Sequence, residues 1–142
     1  MWQRIQTLYL AIACALTASL LFLNIANVMG ADGVVEHIRY TEKVMYLVLI
    51  IISLLTGVLS IFTWKLRLLQ MRLSVLTALL LLGIQGIIVF DWFTNHDVMV
   101  FSVSAVFPLV ASILCFMASR RIFQDEIMVR ASNRLRDTRK KR

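Results

Sequence analysis

Four long apolar runs, separated by short polar links, constrain this chain more than any other feature. They cover approximately residues 5–28, 44–64, 73–90 and 98–119. Each holds about 18–24 residues, and a helix of that length, at about 1.5 Å per residue, crosses a hydrocarbon core of about 30 Å. Lipid offers backbone groups no water, and the runs are continuous rather than alternating, so we expect helices and no strands. The pattern predicts an all-α integral membrane protein built as a four-helix bundle.

Composition agrees with this class and limits the size. The chain has 142 residues, of which 60% are hydrophobic, whereas soluble domains average about 45–50%. It is too short for several domains. We divide it into a four-helix membrane domain, residues 1–119, and a basic tail, residues 120–142, which is expected to be helical to about residue 137.

The basic residues predict the orientation of the chain. Arg39 and Lys43 lie between the first two runs, and the link after the third run has no Lys or Arg. All other cations lie before the first run, between the second and third runs, or in the tail. The positive-inside rule therefore places both termini in the cytoplasm.

Small residues predict how the helices pack, because helices in lipid associate through close contacts. Pro108 lacks an N–H and should free the carbonyl of Ser104, which predicts a kink in the fourth helix. The same small faces would serve a dimer as well as a monomer. The proposed seams are Ser104, Pro108, Ala111, Cys115 and Ala118 in the fourth run; Ser53, Gly57 and Ser60 in the second; Ala11, Ala15, Ala18 and Ser19 in the first; and Gly83 and Gly86 in the third.

Ionisable residues are absent from the deep part of every run, which argues against a proton- or ion-coupled carrier. Gln85 is the one strongly polar side chain near mid-membrane, and we expect it to form an interhelical hydrogen bond. No nucleophile–base set or phosphate loop is present, so no enzymatic activity or cofactor is expected. We expect Asp91 to end a helix. No metal is expected either, because the polar residues of the outer links match no ligand motif: Glu36, His37, Asp91, His96 and Asp97.

The tail has a helical pattern. Phe123, Ile127, Ala131 and Leu135 recur every four residues, and Glu126 and Arg130 form a favourable i, i+4 pair. We expect an amphipathic helix at the cytoplasmic face that contacts anionic lipid or a protein partner. Nucleic acid is not expected, because no aromatic residue interleaves the basic ones.

Both ends of the chain carry recognisable residue patterns. They are Gln3, Arg4, Ile5, Gln6, Thr7, Tyr9 and Leu10 at the start, and Arg121, Asp125, Glu126, Val129, Arg130, Arg134, Leu135 and Arg136 near the end. These patterns resemble the small four-span membrane proteins of Bacteroidota grouped as domain of unknown function 4293. Gln124 stands where that family has a basic residue. The resemblance implies a bacterial cytoplasmic (inner) membrane protein and supplies no activity.

These observations lead to one functional expectation and one rival. We expect a non-catalytic accessory or scaffold protein that acts with a protein partner or as a homo-oligomer. Arg4 is expected to pair with Asp125 or Glu126. The rival is a small transporter or channel subunit with Gln85 and Pro108 near its pathway. The expected docking surface consists of Gln3, Arg4, Gln6, Asp125, Glu126, Arg130, Arg134 and Arg136.

Overall fold

The computed structural model describes residues 2–29, 35–63, 65–95 and 99–140, apart from the side chains of residues 2–4, 6, 29, 95, 99 and 133–140. Helices dominate, and a small sheet accompanies them. In chain order the elements are α1 (Trp2–Ser19), β1 (Asn24–Met29), β2 (Val35–Arg39), α2 (Val44–Phe62), α3 (Arg67–Asn95), β3 (Met99–Phe101), a 3-10 helix (Val103–Val106) and α4 (Phe107–Lys140).

Three helices in the described part of the chain are long and apolar enough to cross a membrane. They are Val44–Phe62, Arg67–Thr94 and Val103–Ser132. In α1 the apolar segment is shorter and covers Thr7–Ser19. The protein is therefore a helical, membrane-associated chain.

The first apolar run is not one helix, so the predicted span 5–28 is wrong in its second half. After Ser19 three tight backbone hydrogen bonds turn the chain, from the N–H groups of residues 21–23 to the carbonyls of residues 18–20. Residues 24–29 then form β1. The apolar sequence alone does not distinguish helix from strand here. Pairing with the partner strands determines that residues 24–29 form a strand.

The three strands form one antiparallel sheet in the order β2-β1-β3. The central strand pairs with β2 along its length, including Asn27 opposite His37, and with β3 from the α3–α4 connection. Our exclusion of strands was therefore wrong. The sheet joins two connections that lie far apart in sequence and fixes them to each other at one end of the helices.

Four helices pack in a cycle. In it α1 contacts α2 and α4, and α3 contacts the same two. We call the end that carries the three strands the sheet end. The opposite end, with residues 63–66 between α2 and α3, is the link end. The start of α1 and the last part of α4 belong to the link end.

The predicted seams are confirmed for two of the four helices. Ser104, Pro108, Ala111, Cys115 and Ala118 are all buried along the start of α4, and α2 buries Ser53, Gly57 and Ser60. Close approach explains Gly57, because a Cβ built there would lie 2.8 Å from Sγ of Cys14 on α1.

The seams predicted for α1 and α3 are wrong. Ala11 and Ala15 are exposed, and α1 buries Leu10, Ala13 and Thr17 instead. Gly83 and Gly86 are exposed, and a Cβ at either would meet nothing within 4 Å. Small residues mark a seam only where another helix approaches, and on α3 the buried small residues are Ser74 and Ala78 rather than the two glycines.

Hydroxyl groups supply the hydrogen bonds between neighbouring helices. Ser74 of α3 donates to the carbonyl of Cys115 on α4 at 2.9 Å, and Thr77 of α3 donates to Oγ1 of Thr56 on α2 at 3.0 Å. Hydrogen bonds across helices in lipid are worth about 0.6–2 kcal/mol each. These hydroxyls take the role we expected of Gln85.

Pro108 does not kink α4. The helix begins at Phe107, so Pro108 lies in its first turn, where a missing N–H costs nothing. The carbonyl of Ser104 accepts hydrogen bonds from the backbone N–H of Phe107 and, at 3.2 Å, from the hydroxyl of Tyr40. Pro108 therefore lies at the start of α4, whereas the sequence predicted that it would kink the fourth helix.

Both late helices extend beyond the predicted spans. The third span was expected over 73–90, but α3 runs through Asp91 to Asn95, so Asp91 does not end it. The fourth span was expected over 98–119; a strand and a 3-10 helix open it, and α4 continues through residue 119 without a break. With 34 residues α4 measures about 51 Å.

Candidate docking surface at the link end

The last part of α4 leaves the helical cycle and exposes apolar side chains. Ile122 is buried, and beyond it Phe123 and Ile127 are each 51% exposed and Met128 is 70% exposed. They stand beside basic residues on the same helix. An apolar patch at a charged helix end is a typical contact surface.

Two of the predicted docking residues form an ion pair on this helix. The Arg130 side-chain Nε donates to Oε1 of Glu126 at 2.9 Å, which confirms the expected i, i+4 pair. Asp125, one helical position before Glu126, is half-buried. The pair lies in the first half of the predicted tail and contributes about 0.3–0.5 kcal/mol to its helix.

The side chains of the other predicted docking residues are not among those that the structure describes. They are Gln3, Arg4, Gln6, Arg134 and Arg136. The expected pairing of Arg4 with Asp125 or Glu126 therefore lies outside the described residues. The backbone places the first turn of α1 at the link end.

An open cavity of about 440 Å³ lies at the link end between the α2–α3 connection and α4. Three cations and a group of leucines line it, with one carboxylate from α4. Of the leucines, Leu66 is 63% exposed. The lining residues are Lys65, Leu66, Arg67, Leu68, Leu69, Arg72 and Glu126. We call this the basic cavity.

Two smaller hollows flank α4 at the same end. One, of about 90 Å³, shares Arg67, Leu68 and Glu126 with the basic cavity and reaches Phe123. The other, of about 240 Å³, is lined by Met117, Arg120, Arg121 and Gln124. Positive charge therefore faces the surrounding medium on both sides of α4.

Gln85 lies toward the sheet end, beside a hollow of about 180 Å³ between α3 and β3. Trp92, Phe101 and Val106 also line this hollow. The side-chain Oε1 of Gln85 is buried and accepts no hydrogen bond from any residue that the structure describes. The interhelical hydrogen bond expected of this oxygen is therefore absent from the described residues.

A family model decides the membership of the chain. The family described as Domain of unknown function (DUF4293) matches residues 2–135, which is nearly the whole sequence. The chain belongs to this family. No curated protein and no solved structure matches it.

The sheet end of this DUF4293 chain carries a polar network whose members bond to one another. Lys43 donates to Oδ2 of Asp91 at 2.8 Å, and the Tyr46 hydroxyl donates to the same oxygen at 2.9 Å. The Tyr40 and Tyr46 rings meet edge to face with centroids 5.9 Å apart, and both tyrosines are buried. The Ser104 hydroxyl in turn donates to the carbonyl of Asn24. We call this set the sheet-end network.

Two of the polar residues that were considered for a metal site, His37 and Asp91, have structural partners. Nδ1 of His37 lies 2.7 Å from Oδ1 of Asn27 on the neighbouring strand. His96 and Asp97 lie outside the described residues. Within the described ranges no group of three His, Cys, Asp or Glu side chains is placed to hold a metal ion.

The sequence analysis missed the basic cavity. It used Lys65, Arg67 and Arg72 only to orient the chain. The available signal was the segment KLRLLQMR, in which cations and leucines interleave at the end of an apolar run. Because α3 begins at Arg67, this segment is mostly helix, and the helix brings the cations to one cavity with α4.

Proposed function

We propose that this DUF4293 protein is a four-pass protein of the cytoplasmic membrane, with α1 as a fourth crossing and both termini in the cytoplasm. The 18 residues of α1 measure about 27 Å as a helix, and α1 packs against two of the longer helices. The link end carries most of the positive charge, which supports its placement in the cytoplasm. The sheet then lies on the outer side.

We further propose a non-catalytic accessory or scaffold role, in which the link-end part of α4 docks a protein partner. The observation that carries this proposal is the exposure of Ile127 and Met128 beside Arg130, about 30 Å or more from the start of a helix about 51 Å long, where a hydrocarbon core of about 30 Å is already crossed. In the proposed placement these side chains face the cytoplasm. An apolar stripe flanked by charge suits the groove or helix of a partner.

Affinity isolation from native membranes tests the docking role. The full chain, a truncation that lacks residues 122–142 and the variant Ile127→Glu/Met128→Glu are purified in a mild detergent. A matched control is Val100→Glu, at a 72% exposed position on β3 at the sheet end. A stoichiometric partner that is lost from the truncation and the double variant, but retained by the control, supports docking. A partner retained by the truncation contradicts it.

A second candidate is a small transporter or channel subunit, which the hollow beside Gln85 favours. A buried acceptor without a described partner costs about 1–3 kcal/mol unless something satisfies it. A ligand donor or a water in a pathway would do so. Pro108, in the first turn of α4, is no longer a candidate hinge.

Labelling from the outer side separates the two candidates. A Gln85→Cys variant is treated with a membrane-impermeant thiol reagent, with the unchanged protein, which carries Cys14 and Cys115, as background. Rapid labelling above that background supports an aqueous route to Gln85. No labelling of a folded variant contradicts the transport role and leaves the docking role intact.

A further inference from the structure

The basic cavity has both cationic and apolar side chains in its lining. Lys65, Arg67 and Arg72 supply three positive charges, and exposed leucines lie between and beside them. Glu126 is the one carboxylate among the described lining residues, and its charge is partly offset by Arg130 at 2.9 Å. The lining therefore offers contacts to both a negative charge and an apolar chain.

The position of the cavity relative to the membrane restricts what fills it. It opens where α2 has ended at Phe62 and α3 has just begun at Arg67. In the placement proposed above, this is the level of the lipid headgroups in the cytoplasmic leaflet. Arg72 lies about 7.5 Å further along α3 than Arg67, toward the hydrocarbon.

We infer that the basic cavity binds the headgroup of an anionic phospholipid, with its phosphate among Lys65, Arg67 and Arg72 and its acyl chains along the leucines. Guanidinium groups bind phosphate oxygens in bidentate geometry, and basic pockets at the cytoplasmic side of membrane helices suit anionic headgroups. The cavity volume of about 440 Å³ holds a headgroup of this class. This inference rests on the proposed membrane placement and not on protein docking.

Charge complementarity selects this ligand over a neutral lipid. A phosphatidylcholine headgroup would bring a quaternary ammonium next to three cations. A phosphatidylglycerol headgroup brings one net negative charge and hydroxyl groups that Glu126 is able to accept from. A soluble phosphate shares the charge but gains nothing from the leucines.

Native mass spectrometry of the full-length protein in detergent tests the inference by counting bound lipids. The probes are phosphatidylglycerol, phosphatidylcholine with the same acyl chains, and glycerol phosphate. The variant is Arg67→Gln/Arg72→Gln. The control is Arg120→Gln/Arg121→Gln, which removes the same charge from the separate hollow at the same end. Circular dichroism verifies the fold of both.

We expect saturable binding of phosphatidylglycerol, weakened about 25-fold in the cavity variant at about fivefold for each removed cation. The control should lose less than about fivefold. Glu126→Gln should strengthen binding, since it removes a negative charge from the wall. If the cavity variant does not fold, Lys65→Gln at an exposed position replaces it and should weaken binding about fivefold.

Three results would overturn the inference. Equal losses in the cavity variant and the control would mean diffuse attraction to a charged surface. Equal affinity for phosphatidylcholine would remove the charge argument. Equal affinity for glycerol phosphate would make the ligand a soluble phosphate rather than a lipid.

Discussion

The two ends of the molecule use similar residues for opposite purposes. At the sheet end Lys43 and Tyr46 donate to Asp91 at 2.8 and 2.9 Å, and Tyr40 donates to the carbonyl of Ser104 at 3.2 Å, in a partly buried network. At the link end the cations of the basic cavity face an open volume, and apolar side chains of α4 stand exposed beside them. The contacts at the sheet end hold the fold together, whereas the basic cavity presents cationic side chains to an open volume.

The largest expected difference between the ends comes from deleting one aromatic ring at each. Tyr40→Ala removes a fully buried ring and its hydrogen bond to Ser104, and should lower the free energy of unfolding by about 3–5 kcal/mol. Phe123→Ala, at a half-exposed position on α4, should change it by less than about 1 kcal/mol. Unfolding by denaturing detergent measures both. Equal losses would contradict the division into a structural and a binding end.

Removing the carboxylate at the sheet end should also lower the free energy of unfolding more than removing the carboxylate at the link end. Asp91→Ala leaves Lys43 and the Tyr46 hydroxyl without their shared acceptor, at an expected cost of about 1–3 kcal/mol in unfolding free energy. Glu126→Ala removes an exposed i, i+4 pair and should cost about 0.3–0.5 kcal/mol. The same unfolding assay compares them. A larger loss of unfolding free energy in Glu126→Ala than in Asp91→Ala would mean that the link end is the part that stabilises the fold.

The smallest expected effect is a pH dependence confined to the sheet end. Burial raises the pKa of Tyr40 above its ordinary value of 10.0, against a smaller opposing effect of the Ser104 side chain. Because the folded pKa lies above the unfolded one, the contribution of Tyr40 is complete below about pH 10 and is lost as pH rises through the folded pKa. Unfolding free energies at about pH 8 to 11 should fall less steeply in Tyr40→Phe. The same slope of unfolding free energy against pH in Tyr40→Phe and in the unchanged protein would contradict this expectation.

Local chemistry explains which parts of the fold could be predicted from sequence. The start of α2 at Val44 and its seam of Ser53, Gly57 and Ser60 follow from an apolar run with small residues at helical spacing. The sheet could not be predicted, because β1 lies within a continuous apolar run and owes its conformation to pairing with β2 and β3. Pro108 was assigned to a helix interior because the 3-10 helix before it is equally apolar.

In the candidate site, too, one feature could be predicted from the sequence and others could not. The Glu126–Arg130 pair could be predicted, since both residues lie on one helix at a fixed spacing. The basic cavity could not, because it joins the start of α3 to Glu126 in the middle third of α4, and the sequence does not give the level at which these two helices meet. Gln85 was expected to bond to another helix, whereas Ser74 and Thr77 make those bonds.

Site-specific photo-crosslinking in native membranes tests the difference between the ends most directly. The crosslinker replaces Met128 at the link end or Val100 at the sheet end, which are 70% and 72% exposed. Our account predicts a discrete protein adduct from position 128 and no protein adduct from position 100. A protein adduct from position 100, with only lipid adducts from position 128, would contradict it.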